Sequence, residues 1–170
     1  MKIARTTRGA LAGLVLLGGL GCAAQMETVE RVAQGPRAEA LFLGRSFLTN
    51  GREPSFDEKR IWEDRLDDRV SRYLREHPEM ERTTRYSDFR FWRQVGLGSA
   101  RAEVRALLDE PDEETVDPAL MAALARQHWL EISRRAREAW VYPLGWVIYF
   151  DEQGVTDVVR RLGAVERLGQ

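Results

Sequence analysis

Across its 170 residues the chain has one cysteine, Cys22, and two histidines, His77 and His128. A single cysteine excludes an internal disulfide, so in an oxidising compartment the fold must rest on its core alone. Neither histidine has a second one three or four residues away, which excludes a helical two-histidine metal site. His77, beside Pro78, is expected to cap a helix end, and His128 to be partly buried and hydrogen-bonded. A formal net charge of −1 leaves no basic footprint for nucleic acid. There is no Gly-x-Ser-x-Gly elbow, and the only phosphate-loop-like piece, Gly96-Leu97-Gly98-Ser99, lacks the Lys-Ser/Thr that would follow. Asp112-Glu113-Glu114 with Asp117 lacks the alternating ligands and central glycine of a calcium loop and reads as a solvated segment. Asp151, at a turn, is expected to accept backbone N–H groups. The expectation is a protein without catalytic residues, cofactor or metal.

What is present begins at the first residues. Lys2, Arg5 and Arg8 precede an uncharged stretch from Gly9 to Met26 that is rich in Gly, Ala and Leu. That is the layout of a secretory signal. A bilayer core of about 30 Å needs about 20 apolar residues, so a stretch this rich in glycine reads as a signal, not a permanent span. Gly-Leu-Gly-Cys, residues 19–22, places the cysteine directly after a small residue. It resembles the lipobox of bacterial lipoproteins, although Gly19 stands where that motif has leucine. The resemblance implies cleavage before Cys22 and acylation of Cys22. With Ala23 rather than aspartate next, it also implies a lipid anchor on the periplasmic face of the outer membrane. Cleavage would remove three of the 26 basic residues and none of the 27 acidic ones, leaving one acidic chain of ordinary single-domain length.

Residues 1–21 are thus read as the signal. Residues 22–54, with Gly35-Pro36, Asn50-Gly51 and Glu53-Pro54, are read as a tether containing a short helix over Ala38 to Phe47. Residues 55–95 form an N-terminal helical region. Ser55 and Glu58 have capping-box spacing, and Trp62, Leu66, Val70, Tyr73 and Leu74 share one helix face up to Pro78. The segment TTRYSDFRFWRQV, residues 83–95, fits a strand and a helix equally well. Residues 96–165 hold a helix capped by Ser99, with Ala100, Val104, Leu107 and Leu108 on one face. A helix of about twenty residues follows from Asp117-Pro118, lined by Met121, Ala125, Trp129, Ile132 and Ala136. Strands are expected at 139–142, 146–151 and 155–161. The middle strand is apolar on both faces, so Val147 or Tyr149 is expected to be exposed or covered only by the N-terminal segment.

GSARAEVRALLDEP, Gly98 to Pro111, followed by EAWVYPLGWVIYFDEQGVTDVV, Glu138 to Val159, resembles the SmpA/OmlA (BamE-like) lipoprotein domain family. Gly98, Val104, Leu107, Leu108, Pro111, Trp140, Tyr142, Phe150, Asp151, Gly154 and Val155 fall on that family's marks. Ser99-Ala100 and Asp109 depart from them. The resemblance implies an α+β fold of two helices packed on a three-stranded antiparallel sheet, with the N-terminal helical region added. It further implies a non-catalytic interaction module for outer-membrane protein assembly or envelope integrity, with the barrel-assembly machinery as partner. Trp140, Tyr142, Val147 and Tyr149 are the candidate partner-binding residues. The alternative is an inhibitor-like or ligand-binding lipoprotein of the same architecture with a soluble partner.

Overall fold

In the computed structural model, residues 28–163 are described; the segment expected to be a signal, and Cys22, lie outside them. The chain enters as two short strands, β1 (Thr28–Val32) and β2 (Gln34–Arg37), and turns directly into helix α1 (Ala38–Asn50). The segment expected as a tether is therefore part of the fold from Thr28 onward. Helix α2 (Phe56–Glu76) begins at the expected capping box, in which Ser55 Oγ accepts from the Glu58 N–H and Glu58 accepts from the Ser55 N–H. It stops at His77, and Pro78 opens a 3-10 turn. Asp88–Trp92 forms a single π-helical turn, which runs through Arg93 into strand β3 (Gln94–Gly96).

Helix α3 (Arg101–Leu108) is capped at Ala100, not Ser99; the Ser99 hydroxyl instead accepts from the Gly96 N–H at 3.3 Å. The acidic segment contributes strand β4 (Glu113–Thr115). Asp117 caps helix α4 (Pro118–Ala125) by accepting from the Ala119 N–H at 2.9 Å. The helix expected to run about twenty residues ends there. Arg126 takes a positive φ of 50°, a 3-10 turn follows, and helix α5 (Trp129–Ile132) is a single turn. The competing force is tertiary: Gln127 Nε2, at 2.8 Å, and His128 Nε2, at 3.0 Å, both meet the Val29 carbonyl of β1. Strands β5 (Glu138–Tyr142), β6 (Trp146–Phe150) and β7 (Val155–Leu162) complete the chain.

The expected architecture of two helices on three strands is overturned. The five-stranded antiparallel sheet runs β1-β7-β6-β5-β4, with a separate β2-β3 pair and five α-helices among the described residues. The class remains α+β. Two of its strands lie where the sequence predicts tether and loop: β1, paired Thr28 to Leu162 through Val32 to Val158, and β4, paired Glu114 to Trp140.

Both faces of the sheet are covered. Trp140, Tyr142, Ile148, Phe150 and Val158 pack beneath α1, α2 and α3 with Leu41, Val70 and Val104. Ala139, Val147, Tyr149 and Val159 pack on the other face against Met121, Leu124, Ala125 and Ile132, with Val29 of β1 closing the edge. No helix among the described residues is long and apolar enough to cross a membrane.

Candidate functional site

The four candidate partner-binding residues are interior. Trp140, Val147 and Tyr149 are 0% exposed and Tyr142 is 1% exposed. Their polar ends are satisfied inside: Trp140 Nε1 donates to Glu138 at 2.7 Å, Tyr142 Oη to the Asp109 carbonyl at 3.1 Å and Tyr149 Oη to the Met121 carbonyl at 3.0 Å. The expectation that Val147 or Tyr149 would be open fails because α4, α5 and β1 close over them. Burial pushes the Tyr142 and Tyr149 hydroxyls well above the ordinary phenol range. Burial would also raise Glu138, but the Trp140 N–H and Arg101 together outweigh it and hold the carboxyl low.

The titratable residues singled out in the sequence also have structural partners. His77 Nδ1 lies 3.0 Å from the Tyr73 carbonyl and its ring stacks on Tyr73 at 4.1 Å. Asp151 accepts from the N–H groups of Gln153 and Gly154 at 2.8 and 3.0 Å, setting the β6–β7 turn. No cluster of three or more His, Cys, Asp or Glu among the described residues could hold a metal.

A different place on the surface carries unspent recognition chemistry. Along one face of α2, Trp62, Glu63, Leu66 and Asp67 form the floor of a groove of about 410 Å³, walled by Arg37, Glu39, Phe91, Trp92 and Arg93. Its far wall is the π-helical turn. The turn carries one residue more than an α-helical turn, so Phe89 goes into the core at 2% exposure while the next aromatics, Phe91 and Trp92, stand 68% and 56% exposed. Arg93 closes the turn with a left-handed φ of 49°, a conformation that costs a non-glycine residue about 1–2 kcal/mol. Two contacts hold it there: its carbonyl accepts from the Ala38 N–H at 2.9 Å and its guanidinium donates to Asp67 at 2.6 Å.

The groove's charges divide unequally between matched and unmatched. Lys59 pairs with Glu39 at 2.7 Å and reaches Glu63 at 3.9 Å, and Asp67 has Arg93. Burial lowers the Arg93 pKa, against the opposing pull of Asp67. Its Nη1 is buried and has no hydrogen-bond partner among the described residues. Arg37 is exposed and lies over the Trp92 ring at 5.2 Å, without a carboxylate within ion-pair range among the described residues. Trp62 is braced from behind by Phe42, stacked at 4.4 Å and 7°. The residues that line the groove are aromatic, aliphatic and charged.

No family model, curated protein or solved structure matches this chain. The sequence marks the groove's π-helical wall only by the double fit of residues 83–95 to a strand and to a helix, which does not say which of Phe89, Phe91 and Trp92 face outward.

Proposed function

We propose that the protein is a lipid-anchored envelope component that binds a protein partner, without catalysis, through the groove bounded by Phe91 and Trp92. The exposed aromatic pair carries this reading. Two large apolar side chains are held in water by a π-turn and a left-handed arginine, and local strain of this kind is stored at functional positions. Aromatic anchors beside an arginine are also the residues that dominate protein interfaces. The lipobox-like leader and Cys22 support placement at the periplasmic face of the outer membrane. A three-stranded architecture is no longer a ground for an assembly role, so the leader and the groove carry the proposal, with barrel-assembly components as the first partners to seek.

The test is copurification from solubilised envelopes after mild crosslinking, using the parent chain and the exposed-site variant Phe91→Ser/Trp92→Ser. The expected result is a protein partner recovered with the parent and lost with the variant. Equal recovery from both places the partner elsewhere and removes the reading.

A further inference from the structure

Resting on the reading of the groove as the partner-binding surface, we infer that its occupant is an acidic peptide segment of the partner. That segment sets a carboxylate against Arg37 and an apolar side chain against Phe91 and Trp92. The inference comes from what the groove leaves unfilled. Two of the carboxylates lining it have a close cation from within the chain, Glu39 with Lys59 at 2.7 Å and Asp67 with Arg93 at 2.6 Å, and Glu63 shares that lysine at 3.9 Å. A cationic occupant would meet only Glu63 without displacing a close pair, and there Lys59 already stands at 3.9 Å. It would also find the Trp92 ring face taken by Arg37.

Two guanidinium groups of the groove have donors still unmet among the described residues: Arg37, with no carboxylate in range, and Arg93, whose buried Nη1 has no hydrogen-bond partner. Arg37 lies over the indole ring at 5.2 Å through cation–π attraction, which uses none of its N–H donors, so the guanidinium can still receive a carboxylate in two parallel hydrogen bonds. Beside it lie Phe91 and Trp92, with more than half of each side chain in water. An occupant that alternates acidic and apolar side chains meets both demands at once. A neutral peptide meets only the second. Because Arg37 lies at the rim, the charge acts chiefly on encounter and specificity and weakens with salt.

The full chain in nanodiscs of phosphatidylcholine alone, so that no anionic lipid competes, is titrated by fluorescence anisotropy with three end-blocked octapeptides. These alternate Phe with Asp, Phe with Asn, and Phe with Lys. The Asp peptide is expected to bind about tenfold tighter than the Asn peptide, as one charge-assisted pair allows, with the Lys peptide weakest. In Arg37→Gln the Asp and Asn peptides should bind alike, and in Trp92→Ala all three should weaken. If the Asn or Lys peptide binds as tightly as the Asp peptide, and all are lost with Trp92→Ala, the acidic occupant is wrong and the groove stands. An undiminished preference for Asp in Arg37→Gln overturns the role of Arg37 and with it the inference. Indifference of all three peptides to Trp92→Ala overturns both the inference and the groove reading beneath it.

Discussion

At the residue scale, burial gives three tyrosines of the core, Tyr73, Tyr142 and Tyr149, a titration signature. Tyr73 is pushed up to about 12, first by burial and then by the nearby Glu103 carboxylate, and Tyr142 and Tyr149 are raised by burial. An acid whose pKa is raised on folding holds its proton longer in the native state than in the unfolded chain. Its contribution to stability is therefore complete below the unfolded value of 10.0 and is lost as pH rises from there through the folded value. The urea midpoint should fall steeply above about pH 10, and Tyr149→Phe should flatten that fall. A pH-independent midpoint up to pH 11 would contradict the burial described. Gly154 is a second point of sensitivity. It sits at φ +152°, and a Cβ there would come within 2.6 Å of the Ser99 carbonyl oxygen. Gly154→Ala should cost about 3 kcal/mol in denaturant unfolding, because both the backbone region and the space are closed to a methyl group.

At the element scale, strand β1 decides between two pictures of the N-terminal segment. Val29 is 2% exposed within the second core, and the strand pairs with β7 along its whole length. Val29→Ala should destabilise the protein by about 1–3 kcal/mol, seen as a lower thermal midpoint, whereas a substitution in a free tether would change nothing. The physical reasons for what could be read in the sequence lie in the same elements. Strands β5, β6 and β7 were legible because alternating aromatic and β-branched residues run through them between two clear turns. Helix α2 was legible from its cap and its 3.6-residue period. Strand β1 was not, because Thr-Val-Glu-Arg-Val offers one deeply buried side chain, Val29, and draws the rest of its stability from β7. Strand β4 hid among carboxylates that an edge strand can carry. The helical period from Pro118 was real, but the hydrogen bonds of Gln127 and His128 to β1 break it, and no local pattern carries information about a partner ninety-eight residues away. The groove was illegible for a related reason: Phe89 and Trp92 look alike in sequence, and only the π-turn sends one inward and the other out.

At the scale of the whole molecule, the arrival of the fold at Thr28 limits how the protein can sit on a membrane. Under the proposed anchoring, only Ala23 to Glu27 separate the lipidated cysteine from β1, a reach of at most about 20 Å. Thr28 pairs with Leu162, and Trp146 with both Tyr142 and Arg160, so the start of β1, the end of β7 and the turn at Pro143–Gly145 share one end of the sheet. That end should face the bilayer, with the Asp151–Gly154 turn at the opposite end. A lipid-borne quencher should therefore quench a fluorophore at Gly163 strongly and one at Gln153 weakly, and Cys22→Ser should release the protein into the soluble fraction. Equal quenching at both ends would contradict the short anchor. The central claim, that Phe91 and Trp92 form the surface a partner protein occupies, is tested most directly by site-specific photo-crosslinking in intact cells. A photoreactive residue at Trp92 is compared with one at Leu130, which is 74% exposed and lies in α5 on the other side of the sheet. The account predicts a discrete protein adduct from position 92 and none from position 130; an adduct from 130 alone, or from neither, would contradict it.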